Sequence, residues 1–119
     1  MCGIGGMLGQ PDRTVLSRMN RLMDHRGPDG NGIFSDDSCG LAHTRLAILD
    51  ISGSPQPLYG PGKVAVVNGE IYNHLELRNN MYQYTTNGDS EVVLSLHNGR
   101  GDANHHAKWV SKLDGMFAF

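Results

Sequence analysis

Apolar residues recur along this chain with two periods, and those periods predict its elements. Residues 3–8 are small and apolar with glycine between them, the pattern of a strand that other backbone approaches closely. Val15, Leu16, Met19, Leu22 and Met23 recur at helical spacing and predict an amphipathic helix over 14–25, stopped by Gly27-Pro28-Asp29-Gly30. Residues 32–35 and 38–44, hinged at Asp36-Asp37, predict a hairpin. The prolines and glycines of 53–62 deny ladder donors and predict a loop. Residues 63–68 (KVAVVN) are the clearest β-branched run and predict a strand. Leu75, Leu77 and Met81 suit one short helix, and 82–86 alternate aromatic and polar residues as a strand or extended segment does. Asp89 stands at the N-cap position of a helix carrying Val92, Val93 and Leu96, with Gly99 to close it. A last helix is expected over 108–113 and a last strand over 116–119. A domain ending on that apolar strand would leave an unpaired edge, so further strands are expected after it.

Composition narrows the partners. A chain of 119 residues suits one small domain burying roughly two-thirds of its unfolded surface. With a formal net charge of −2 there is no basic field to attract nucleic acid or acidic lipid. No apolar run approaches the ~18 residues of a membrane span, and no secretory leader is visible. Two cysteines and no glycosylation acceptor make a reducing cytoplasm the expected compartment.

Four positions carry candidate chemistry. Removal of Met1 would leave Cys2 with the chain's own α-amino group, so a nucleophile and a candidate base share one residue. α-Amino groups titrate at about 7.7–8.0 in reference peptides, and an N-terminal amine that activates a hydroxyl nucleophile is a known arrangement. A buried, inert thiol is the competing reading. Arg45 is a cation within the apolar stretch 41–48 and needs a partner, either Asp50 or a ligand carboxylate gripped bidentately. Asn68-Gly69-Glu70 ends the strand run. An amide side chain beside a glycine N–H there is either a plain turn or an oxyanion hole, whose donors are worth about 10²–10³ in rate each. Asp89 is either the N-cap or the acceptor of a substrate ammonium. Together these groups describe a pocket for an α-amino acid with a reactive side-chain carbonyl.

The opening Met1-Cys2-Gly3-Ile4-Gly5-Gly6 resembles the start of class II glutamine amidotransferases, the N-terminal-nucleophile glutaminase domains. RGPDGNG (26–32), LAHTRLAILD (41–50), PQPL (55–58), NGEIYNH (68–74), GDSEVV (88–93) and LDGMFAF (113–119) follow in family order. The pattern looks like the glutaminase domain of glutamine-hydrolysing asparagine synthetases. The resemblance implies an α+β fold, a four-layer αββα sandwich with antiparallel sheets that is incomplete at the C-terminus. Residues 1–119 would be a partial glutaminase domain, with the synthetase domain absent. It implies Cys2 as nucleophile, with Asn68 and Gly69 holding the oxyanion. Arg45 would take the α-carboxylate of glutamine, the backbone of Leu46, Ala47, Ile48 and Leu49 would shape the wall, and Glu70 and Asp89 would face the α-ammonium. The RGPDG turn is placed near the pocket mouth without a catalytic role. No metal or cofactor is implied for this domain. ATP and magnesium belong to the synthetase domain, which is the expected partner along with a second copy of the chain in a homodimer.

Three features depart from the family pattern. The segment after NGEIYNH is short, GDANHH is an unusual lead-in to the last helix, and a retained Met1 would block the amine. The alternative to the glutaminase reading is therefore an inactive remnant or interaction module, or an amidotransferase whose acceptor is not aspartate. A metal site at His97, His105 and His106 is disfavoured because their spacing matches no ligand pattern. Cys39 and Trp109 are expected in the core.

Overall fold

Eleven elements follow one another in the computed structural model, which describes residues 1–50, 52–97 and 103–119. They are β1 (Gly3–Leu8), α1 (Arg13–Met23), β2 (Gly30–Ser35), β3 (Cys39–Arg45), β4 (Leu58–Gly60), β5 (Lys63–Ala65), β6 (Asn68–Ile71), α2 (His74–Leu77), α3 (Val92–Leu96), α4 (Ala103–Val110) and β7 (Gly115–Ala118). All strand pairs are antiparallel: a sheet in the order β1-β3-β2, and the pairs β4-β5 and β6-β7. The class is α+β.

Local chemistry starts the first helix and closes the first hairpin. Asp12 caps α1 by accepting from the Thr14 and Val15 N–H groups at 2.7 and 3.3 Å, and these bonds hold its carboxyl below the ordinary value. Asp36 accepts from Ser38 and Cys39 N–H and so makes the β2–β3 turn. Helix α1 lies across the three strands with Leu16 fully buried, and Asn20 donates to the Gly32 carbonyl at 3.1 Å.

Strand β3 is buried on both faces, and its period-two alternation sorts its side chains. Thr44 faces α1, where its hydroxyl donates to the Met23 carbonyl at 3.2 Å. His43 faces the other way, and its Nε2 meets the Val67 carbonyl at 3.2 Å. Beyond Val67 a second core gathers Val67, Ile71, Val92, Val93 and Trp109. Full burial is worth about 1.5–3 kcal/mol for each such aliphatic side chain. Glu91 is almost wholly buried beside this core. Burial opposes its ionisation, but the N–H and hydroxyl groups of Thr85 and Thr86 outweigh it and hold the carboxyl below its ordinary value.

Several elements differ from the sequence-based expectation. The expected loop 53–62 contains β4, because Pro61-Gly62 forms a tight turn that folds 58–60 onto 63–65. The run 63–68 is not one strand. It breaks at Val66-Val67 and resumes as β6, because Gly69 takes φ +133° and pairs with β7 instead. Asp89 does not cap α3. Its Oδ2 accepts the Ile71 N–H at 2.7 Å, and Glu91 occupies the cap position without a side-chain bond. The last helix is α4, earlier than 108–113, and β7 is paired along β6. Residues 82–86 join no ladder, and Met81 lies outside α2, almost fully exposed. The expected stop at Gly99 falls outside the described residues.

His43 makes folding sensitive to acid. A carbonyl only accepts, so Nε2 carries the proton, while the buried Nδ1 has no partner. Charging would place a proton on Nδ1 with nothing to receive it. Burial, reinforced by the Arg45 charge and opposed by the Val67 bond, lowers the His43 pKa to about 4. The unfolded chain therefore binds the proton first, and stability is complete above about pH 6.5 and falls as pH drops toward 4. The full loss is roughly 3 kcal/mol. Urea melts from pH 8 to 4 should show this slope, and His43→Gln should flatten it.

Candidate functional site

The register of β1 on β3 sets the site. Gly3 pairs with Thr44, so Cys2, just before β1, lies alongside Arg45 at the end of β3. Cys2 Sγ accepts from the Leu46 N–H at 3.3 Å, and its thiol donates toward the Leu46 carbonyl at 3.7 Å. Around this point lies a cavity of about 190 Å³. Cys2, Arg45, Leu46, Ile48, Leu49, Gly69, Glu70 and Asp89 line it, joined by Met1, Ser54, Gln56, Val67, Gly88, Ser90 and Met116. A void of that size suits a small metabolite rather than a drug-sized ligand, whose pockets start at about 300 Å³.

Two of the residues singled out from sequence are not in the cavity wall. Ala47 donates its N–H to Asp29 Oδ2 at 2.8 Å. Asn68 opens β6, and its side-chain Oδ1 is buried without a hydrogen-bond partner. Its neighbour Gly69 reaches the wall because glycine alone tolerates the local backbone, with φ at +133° and no room for a Cβ against the Met116 carbonyl.

Arg45 engages main chain. One guanidinium nitrogen donates to the Leu49 and Asp50 carbonyls at 3.3 and 2.7 Å. The Asp50 carboxylate looks elsewhere, accepting from Ser54 Oγ at 2.7 Å and the Asn87 N–H at 3.0 Å. Those bonds hold its carboxyl below the ordinary value, with the Arg45 charge adding a little. Asp50 thereby ties Ser54 to Asn87, beside Gly88, Asp89 and Ser90, and all four of Ser54, Gly88, Asp89 and Ser90 line the cavity.

Sequence reasoning missed the groups that fix the nucleophile candidate and its surroundings. Arg26 Nε donates to the Cys2 carbonyl at 3.0 Å, and the Asp29 N–H donates to the Arg45 carbonyl at 2.9 Å. The RGPDG turn thus grips both Cys2 and Arg45. The signal was present as charged residues flanking a tight turn, but turn chemistry explained them equally well.

Elsewhere, the His97 and His106 rings stack at 5.2 Å, and Trp109 Nε1 donates to His106 Nδ1 at 3.3 Å. Among the described residues no three metal-capable side chains converge. No helix there is long and apolar enough to cross a membrane.

The family model of the glutamine amidotransferase domain matches residues 1–119. The chain belongs to that family. It is 44% identical over its whole length to asparagine synthetase [glutamine-hydrolyzing] 3 of Arabidopsis thaliana, covering 21% of that protein. It is 43% identical, again over its whole length, to asparagine synthetase B [glutamine-hydrolyzing] of Escherichia coli strain K12, covering 22% of it. The corresponding enzyme of Sandersonia aurantiaca is 40% identical, with 23% covered. This amidotransferase domain therefore spans about a fifth of the length of these curated relatives. The alignments run over 128 or 129 residues, so the relatives carry residues that this chain of 119 lacks.

Gly69→Ala tests the corner. The left-handed conformation alone costs about 1–3 kcal/mol with a side chain, before the collision with Met116. The denaturation midpoint in urea should fall accordingly.

Proposed function

We propose that this domain hydrolyses glutamine as the ammonia-supplying part of an asparagine-synthetase-like enzyme. One observation carries the reading. Cys2 Sγ lies in a cavity that Arg45, Gly69, Glu70 and Asp89 also line, within a chain that matches the amidotransferase family end to end.

Removal of Met1 frees the α-amine of Cys2. The thiol passes its proton to that amine, and Sγ attacks the side-chain carbonyl carbon of glutamine. The Gly69 main-chain N–H holds the oxyanion from the wall, and the Asn68 side-chain N–H, outside the wall before substrate binds, turns in to join it. The C–N bond then breaks, the proton leaves with ammonia, and a thioester to Sγ remains. Water attacks the thioester, releasing glutamate and restoring the thiol. Arg45 takes the α-carboxylate, and Leu46, Ile48 and Leu49 shape the wall, while Ala47 keeps the segment in place through its bond to Asp29. Glu70 and Asp89 receive the α-ammonium. Asp89 is suited to this because the Ile71 N–H fixes Oδ2, leaving Oδ1, contacted by Ser90 at 3.4 Å, to turn toward the ligand.

In this reading residues 1–119 are a partial glutaminase domain. Helix α1, the three-stranded sheet, the β6-β7 pair and the helices packed beyond it belong to a four-layer αββα sandwich. Ammonia passes to a C-terminal synthetase domain that uses ATP and magnesium to amidate aspartate, in a cytoplasmic homodimer. The glutaminase domain itself works without metal or cofactor.

The test is glutamate release from glutamine by the chain with Met1 removed. Cys2→Ala should reduce it to background, and mass spectrometry of the native protein quenched in acid should find a glutamyl thioester at residue 2. Asn68→Ala should lower kcat about 10²–10³-fold. Activity that survives Cys2→Ala would overturn the mechanism, and an acceptor other than aspartate would redirect only its final step.

A further inference from the structure

We infer that Gln56 is a positioning residue for the oxyanion corner, acting through the main chain of Val67; the inference rests on the glutaminase reading above. Val66 and Val67 connect β5 to β6 and belong to neither ladder, yet both are buried. Buried main-chain groups outside a ladder need other partners. The Gln56 carboxamide supplies them at Val67. Its Oε1 accepts the Val67 N–H at 2.6 Å, and its Nε2 donates to the Val67 carbonyl at 3.1 Å. These are the two bonds that a neighbouring antiparallel strand would exchange with one residue. Only one orientation of the amide satisfies both, because the main-chain N–H must donate and the carbonyl must accept.

The consequence falls on the next two residues. Val67 immediately precedes Asn68 and Gly69, so fixing its peptide groups fixes the direction in which the corner leaves the core. Gln56 is held in turn, since its own carbonyl packs against Gly32 of β2 where a Cβ would collide with it. His43 reaches the same Val67 carbonyl from β3, so the corner is referred to the sheet that carries Arg45 and pairs with β1 next to Cys2. Gln56 also lines the cavity beside Cys2 and Gly69. No other residue type supplies this pair of bonds from this place. Glutamate lacks the donor while ionised, methionine lacks both groups, and asparagine is one methylene short.

The variants Gln56→Met and Gln56→Glu, in the chain with Met1 removed, separate positioning from bulk structure. Gln56→Met should lower kcat for glutamine hydrolysis at least tenfold with KM changed less than threefold, because the donor corner is displaced while Arg45, Glu70 and Asp89 are kept. Gln56→Glu should be comparably slow at pH 8. Relative to the parent protein it should recover severalfold toward pH 6, where a protonated carboxyl supplies both a donor and an acceptor again. Amide hydrogen exchange at 67–69 should rise at least tenfold in Gln56→Met while exchange in β1 and β3 stays within twofold. A kcat within twofold of the parent, or exchange that rises uniformly over the whole chain, overturns the inference. If the parent protein releases no glutamate, the glutaminase reading fails, and the local exchange at 67–69 still decides whether Gln56 holds the corner.

Discussion

A buried peptide unit that has left one ladder and not yet entered the next must still satisfy its hydrogen bonds, and Val67 is where this fold meets that demand. Leaving a buried donor or acceptor unpaired costs about 1–3 kcal/mol each. Here Gln56 and His43 converge on Val67 from separate parts of the chain, at 2.6–3.2 Å. The bonds stitch the β1-β3-β2 sheet to the strand that becomes β6. The junction lies between the two halves of the cavity, which the Asp50–Asn87 bond also links. Cys2 and Arg45 stand on one side of it, and Gly69, Glu70 and Asp89 follow from the other.

The same economy recurs around the site. Charged and amide side chains here bond mainly to main chain rather than to one another. Arg26 holds the Cys2 carbonyl, Arg45 holds the Leu49 and Asp50 carbonyls, Asp89 holds the Ile71 N–H, and Asp29 holds the Ala47 N–H. Charge-assisted bonds of this kind are stronger than neutral ones, and each fixes a loop without help from a ladder. A cavity walled by segments from six parts of the chain is thereby given a defined shape. Glu91 does likewise for 85–86 behind it.

Local signals in the sequence carried the parts of the fold that local chemistry decides. The apolar spacing from Val15 to Met23 predicted α1, which Asp12 caps, and the Asp36-Asp37 hinge predicted the β2–β3 hairpin. The β-branched run at 63–68 was misleading because β propensity speaks to burial and not to partners. Val66 and Val67 are as suited to a strand as Val64, but the strand that would flank them is replaced by one glutamine side chain. Asp89 was placed at a helix cap for a sound local reason, and a more distant donor, the Ile71 N–H, claimed it instead. Leu58-Tyr59-Gly60 was hidden by the prolines around it.

What the sequence determined unaided was chemistry and lineage: a thiol one residue from the start, a lone arginine in an apolar stretch, an Asn-Gly pair after a strand, and ordered motifs that fit one family. Those are properties of residue type and order, legible without coordinates. Which of those residues share a wall was decided only in three dimensions. The antiparallel register fixes that Cys2 lies beside Arg45, and the bend at Gly69 brings a segment more than sixty residues away to the same cavity. Tertiary structure alone also assigned Gln56, Arg26 and Asp29 their work, because a polar side chain in a turn declares its chemistry in the sequence and its partner only when the chain has closed on itself.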